Sequence, residues 1–306
     1  MIVNEKYSNR IGDEYMDYVL MTNASCDLTA KQVDEIGVEV LPMEFQIEDK
    51  YYLHYPDCRM MPLDEFYKAI KDGAVPKTTQ INFDSFKNYF EPYLKAGKDI
   101  IYACIATGLS GTYNTCLIAV NELQEKYPDR KIYVVDSRCD SAGLGFLMYL
   151  AGKKRSEGAT IDELKEYIEE TREKVCHWFV VDDLELLKKG GRISSLTATF
   201  GKALQIKPLI GADETGGLVS VSKIRGRSNV IPTLAKYVKR DADKNSKKQT
   251  AFIAQADNME GAKELRKAIK GMFKEIQICD VGPVIGSHVG SGMLAVVFLG
   301  DRNCQA

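Results

Sequence analysis

The chain reads as an α/β protein in two parts: an N-terminal open α/β domain with a mostly parallel sheet, then a C-terminal α+β domain. Three observations predict this. Short apolar runs alternate with amphipathic segments over residues 17–157, the pattern of parallel β-α-β units. Over 158–306 hairpin signals mix with helical ones, which suits an α+β sheet. The length of 306 residues also suits about two domains at ~150 residues each. Residues 1–16 read as an extension ahead of the first strand.

The elements follow in order. Tyr18–Thr22 is the first strand, Asn23–Asp27 a turn at its carboxyl end, and Thr29–Ile36 a short helix stopped by Gly37. Val38–Gln46 and Tyr51–His54 flank Glu48–Lys50, a hairpin or extended excursion. Pro62 opens a helix through Ile70 that Gly73 stops. Val75–Gln80 reads as a polar loop. The next helix carries Phe83, Phe86, Phe90, Tyr93 and Leu94 on one face and ends at Gly97. Ile100–Ala106 is a buried strand, 111–127 a helix closed by Pro128, Ile132–Asp136 a strand, and 141–155 a buried helix. Thr160–Lys174 is amphipathic, and Glu157-Gly158 marks the expected domain boundary. Beyond it the pattern predicts a strand at His177–Asp182, a short helix at Leu184–Lys189 and a tight loop at Gly190–Ser194. Strands at Gln205–Ile210 and Leu218–Lys223 are joined through Glu214–Gly217. Helices at about Asn229–Lys239 and Gly261–Gly271 alternate with strands at Thr250–Gln255 and Lys274–Asp280. A glycine-rich stretch, Gly282–Gly292, precedes the last strand, Leu294–Leu299.

Composition narrows the function. The chain has 41 basic and 43 acidic residues, a net charge of −2. No general attraction to nucleic acid or anionic membrane follows, so any basic site is local. No apolar run is long enough to cross a bilayer, and the polar start (Asn4, Glu5, Lys6, Asp13, Glu14) is unlike a signal peptide, so the expected location is cytoplasmic. Eight cysteines show no C-x-x-C pair, and three histidines give no spaced metal cluster. The cysteines read as reduced thiols, and no metal or cofactor is expected.

The stretch Thr107–Asn114 is a strand-to-helix turn. Ser110 falls where an N-cap belongs, with Gly111 and Thr112 in the first turn. Free N–H groups and the helix dipole make such a turn an anion site, on the sheet edge where α/β proteins bind ligands. The plainer reading is that Ser110 only caps a helix. Gly108-Leu-Ser110-Gly111-Thr112 also approaches a nucleophile elbow, with Ser110 as nucleophile and His288 as base of a serine hydrolase acting on acyl esters. Its second glycine stands one place early, and Thr112 fills the required position. Thr78-Thr79-Gln80 also precedes a helix, so its hydroxyls and Ser110 could meet on one anion; an ordinary helix-start loop is the plainer reading. Gly282–Gly292 matches no nucleotide fingerprint, but its glycines imply close backbone approach or positive φ angles around His288. Lys188–Arg192 and Lys223–Arg227 are local basic clusters: solvated surface, or arginines for phosphate or an acidic partner.

Taken together and in order, several stretches resemble the DegV family, the fatty-acid-binding subunits of bacterial fatty acid kinase. They are Asn23–Asp27, Lys77-Thr-Thr-Gln80, Leu109–Tyr113, Val135-Asp-Ser137, Lys189–Ser194, Lys207–Ile210, Lys223-Ile-Arg225 and Gly282–Gly290. The resemblance implies a fatty acid held between the two domains or at their junction. It implies a carboxylate site at Thr78, Thr79, Ser110, Gly111 and His288. Arg192 and Arg225 match positions implicated in contact with the kinase subunit or the acyl phosphate. The implied partners are a long-chain fatty acid and a separate catalytic kinase subunit, with peripheral or transient membrane contact and no catalysis by this chain. Two departures stand out: Thr79 where the family more often has serine, and Ile81-Asn82 where Pro-Ser is usual.

Overall fold

A computed structural model describes residues 17–182, 184–192 and 206–302. The expected extension 1–16, residues Ile193 and Ser194 of the tight loop, Gln205 and Cys304 lie outside the described residues.

The N-terminal part runs β1 (Tyr18–Asn23), α1 (Ala30–Ile36), β2 (Glu39–Leu41), β3 (Met43–Ile47), β4 (Lys50–His54), α2 (Leu63–Lys71), β5 (Lys77–Thr79) and α3 (Phe83–Lys95). It continues through β6 (Asp99–Cys104), α4 (Thr112–Lys126), β7 (Ile132–Asp136), α5 (Ser141–Ser156) and α6 (Ile161–Arg172). Next come β8 (Val175–Val180), α7 (Glu185–Lys189), β9 (Ile206–Ala212), β10 (Leu218–Arg225), α8 (Val230–Asp241) and β11 (Thr250–Gln255). The last elements are α9 (Met259–Ala268), β12 (Glu275–Asp280), α10 (Pro283–Val289) and β13 (Leu294–Leu299).

The strands form a parallel four-stranded sheet ordered β2-β1-β6-β7 and a six-stranded sheet ordered β10-β9-β8-β13-β11-β12. The second is antiparallel except for β11 with β12. A third, antiparallel sheet, β4-β3-β5, stands beside them.

Both large sheets are covered on two faces, so their strands read as unbroken apolar runs. In β6, Ile101 and Ala103 face one core, while Ile100, Tyr102 and Cys104 face another with α3 and α4. In β8, Val175 and Phe179 face the first core, and Trp178 and Val180 face a third with α8 and α9. The shared core holds α5, which is buried from Ser141 to Tyr149 on every side. A helix apolar all round belongs inside a molecule. It packs on β8, β11 and β13, whereas α6 packs on β6 and β7.

Two expectations need correction, and a third stretch takes a form the sequence left open. Val38–Gln46 is two strands of different sheets, because Pro42 lacks the N–H to continue a ladder. Val75–Gln80 is not all loop: Lys77–Thr79 pairs with Gln46–Glu44 of β3. Gly282–Gly292 is largely helix, with Pro283 at its start and Gly290 closing it at φ 69°. Only Gly290 and Gly292 of that stretch take positive φ. Gly282 and Gly286 are small for another reason, since a Cβ there would lie 2.2 Å from His54 and 2.7 Å from Phe66.

Candidate functional site

The turn after β6 begins when the N–H groups of Leu109 and Ser110 both donate to the Ala106 carbonyl. That tight turn delays the helix by one residue, so Gly111, not Ser110, holds the cap position of α4. Ser110 Oγ still accepts from the Thr112 N–H at 3.3 Å and lies 2.8 Å from Thr112 Oγ1. The β9–β10 hairpin tip closes on this turn. Gly108 N–H donates to Thr215 O at 3.2 Å, and a Cβ at Gly108 would lie 2.6 Å from Gly217 N.

In β5 the pleat decides which hydroxyl is useful. Successive strand residues point to opposite sides. Thr78 is half-buried and turns inward, while Lys77 and Thr79 are exposed. Thr78 Oγ1 lies 2.9 Å from His288 Nε2. His288 comes from α10, whose helical spacing puts Val284 and His288 on one line and Ile285 and Val289 on the next.

All of this surrounds one cavity at the carboxyl edge of the parallel sheet, with free volume about 60 Å³. Thr78, Ser110, Arg192 and His288 line it together. Ile105 and Leu109 follow β6, and Phe179, Leu218 and Met293 come from the C-terminal half. Met43, Leu187, Val284, Ile285 and Val289 complete an otherwise apolar wall. Two further polar residues, Asp140 and Ser141, sit on it as well.

Burial holds the His288 imidazole down at about 4, helped by the Arg192 charge, so the ring is neutral at pH 7. With the proton on Nε2, the ring donates to Thr78 Oγ1 and leaves the Thr78 hydroxyl free to donate to an anion. His288 Nδ1 has no hydrogen-bond partner among the described residues. It packs against Gly190, where a Cβ would lie 2.3 Å from Nδ1. Arg192 is half-buried, and its Nε donates to Leu109 O at 3.2 Å. Burial lowers the pKa of its guanidinium. A serine hydrolase would need the His288 ring on Ser110 and a carboxylate behind the ring. Here the ring meets Thr78, and Nδ1 meets no carboxylate among the described residues.

The cavity does not gather every candidate. Thr79 and Gly111 are exposed and lie off it, because β5 turns Thr79 outward and α4 begins after Gly111. Gln80, next to Thr79, packs over Gly111, where a Cβ would lie 2.6 Å from its Oε1. Arg225, at the end of β10, also lies off it. Arg192, matched to a contact with the kinase subunit or the acyl phosphate, lines the cavity itself. Asp140 and Ser141 were not singled out in the sequence, and Asp27 only as the end of the Asn23–Asp27 turn. Their positions after β7 and β1 match that of Ser110 after β6, which was the available signal.

A wider cleft of about 540 Å³ lies on the six-stranded sheet, lined in part by Asp182, Lys207, Arg227, Asn258, Glu260 and Glu264. Size alone would favour it. Its charges are mixed, Lys207 is spent on Asp182 at 2.5 Å, and it holds none of the predicted carboxylate residues. Among the described residues no group of three or more His, Cys, Asp or Glu could hold a metal ion, and no helix is long and apolar enough to cross a membrane.

Comparison with known proteins matches the chain to one family. The DegV family model matches residues 18–301. A DegV domain-containing protein of Clostridium perfringens is 39% identical over 93% of this chain and 98% of its own length. Among solved structures, a fatty acid binding DegV family protein from Streptococcus agalactiae is 27% identical, with TM-score 0.81 over 93% of this chain and 99% of that one. The Streptococcus pneumoniae fatty acid kinase B3 protein, loaded with linoleic acid, shares the fold at 22% identity and TM-score 0.79, over 94% of this chain and 100% of that one.

Proposed function

The chain belongs to the DegV family, and on that premise we propose that it binds a long-chain fatty acid non-covalently and presents the carboxylate to a separate fatty acid kinase subunit. One observation carries the reading: Thr78, Ser110 and His288, far apart in sequence, meet with Arg192 on a cavity whose remaining wall is mostly apolar. Hydroxyl donors, a neutral imidazole and a guanidinium suit a carboxylate. The apolar wall suits an alkyl chain, at ~0.8 kcal/mol per buried CH₂. The named ligand of the Streptococcus agalactiae relative supports the same class. The kinase partner rests on the family resemblance, as does the reading of this chain as a carrier subunit without chemistry of its own. At about 60 Å³ the cavity is well below the ~300–1,000 Å³ of ordinary ligand pockets. A long chain therefore enters only as the walls part.

Native mass spectrometry of freshly purified protein tests this, with solvent extraction to identify the lipid. A stoichiometric long-chain fatty acid is expected. Thr78→Ala and Ser110→Ala should each weaken retention roughly ten- to hundredfold, the loss of one hydrogen bond to a charged group. An empty protein that also refuses added oleate and palmitate sinks the reading.

A further inference from the structure

We propose that Asp140 and Ser141 form a polar subsite on the acyl cavity that accepts a hydroxyl carried on the chain, so that the preferred ligand is a hydroxylated long-chain fatty acid. This rests on the fatty acid reading and narrows its substrate class.

Asp140 occupies the N-cap position of α5 with extended backbone, φ −125° and ψ 162°, yet its side chain makes no capping bond. It lines the cavity instead. His177 Nδ1 lies 2.8 Å from Asp140 Oδ1, which reaches across from the parallel sheet's edge to β8. The Asp140 side chain is 16% exposed. A carboxylate offers about four acceptor positions, and that contact accounts for one. Ser141 Oγ, beside it on the wall, donates its proton to Asp27 Oδ2 at 2.6 Å. Its oxygen keeps a lone pair that can accept from a ligand.

This part of the wall therefore offers acceptors. A fatty carboxylate is repelled by it, which leaves Thr78, Ser110, His288 and Arg192 as the headgroup site. A plain alkyl chain laid against Asp140 strips water from a carboxylate and returns no hydrogen bond, which is costly. A chain hydroxyl returns one, because it is neutral and donates. A ketone at the same carbon is polar but cannot donate, and so gains nothing.

The test compares stearate, a positional series of hydroxystearates and the matching ketostearates on delipidated protein, by displacement of a fluorescent fatty acid. One hydroxyl position should bind roughly five- to hundredfold tighter than stearate, and its ketone should not. Asp140→Ala should erase the preference, and Asp140→Asn, which can keep an oxygen toward His177, should reduce it. The ligand comparison on the unaltered protein stands even if neither variant folds. Stearate bound at least as tightly as every hydroxystearate overturns this inference alone. A preference that survives in both variants also overturns it. A protein that binds no chain of either kind overturns the fatty acid reading and this inference with it.

Discussion

Asp27 shows how a single buried carboxylate sets a pH dependence. It is 5% exposed, at φ 51° in the turn after β1. Its oxygens accept from Ser141 Oγ at 2.6 Å and from Gly282 N–H at 2.9 Å. Those bonds favour the ionised form, but burial outweighs them and pushes the carboxyl up to about 8, aided by Asp140 and Asp280. Its folded pKa is thus raised above that of the unfolded chain. The stability it contributes is complete below ~4 and is lost as pH rises toward about 8. His54 and His288 run the other way. Burial holds both near 4, so they weaken the fold as pH falls from ~6.5 toward 4. Asn at position 27 does not titrate, and it can still accept from Gly282 and donate to Ser141. The melting temperature of Asp27→Asn minus that of the unaltered protein should therefore climb from pH 5 to pH 8, while the histidine contributions cancel. A difference that stays flat across that range would show Asp27 to be ionised in the fold.

At the scale of elements, legibility followed length. The runs that became β1, β6, β7 and β13 are apolar and long enough to read as buried strands. Thr29 and Thr160 cap α1 and α6 with Gln32 and Glu163 in full capping boxes, so those starts were legible too. β5 was not, because three residues are too few to show alternation, and alternation alone separates Thr78 from Thr79. The glycines of α10 signalled close approach, which Gly282 and Gly286 make to His54 and Phe66, but gave no sign of the helix itself. Gly190 illustrates the same cause and carries a prediction. Its φ is −75°, which any residue adopts, so glycine is needed there for space. A methyl group would meet His288 Nδ1 at 2.3 Å and push the ring from Thr78. Gly190→Ala should weaken fatty acid retention about tenfold, the loss of roughly one hydrogen bond. Melting should shift by only a few degrees, since the site lies at a helix end rather than in a core. Retention that matches the unaltered protein would mean the His288 position is not critical to binding.

At the scale of the whole molecule, the site is assembled from three sheets, and the two arginines that sequence grouped together divide between its inside and its outside. Arg192 lies on the cavity with His288 and braces the Ser110 turn through Leu109. Arg225 ends β10 exposed and off the cavity. The reason for grouping them was that both stand in local basic clusters of polar sequence. That is true, but the chain folds one such stretch inward behind α7. Charge then separates their roles. A carboxylate brought into a half-dry cavity would need a nearby cation, and Arg192 is a cation on that wall, opposite in sign to Asp140. Arg192→Ala should therefore lose fatty acid affinity, roughly ten- to hundredfold, and any kinase turnover with it. Arg225→Ala should keep the lipid. If it meets an acidic face of a kinase subunit, it should slow phosphorylation of the bound fatty acid, most at low salt, where an exposed charge steers association. The measurement is lipid affinity beside the rate as a kinase substrate for each variant, at two ionic strengths. Full lipid affinity in Arg192→Ala would show that the cavity balances its anion without that guanidinium. A salt-independent rate in Arg225→Ala equal to that of the unaltered protein would remove Arg225 from the encounter with the kinase.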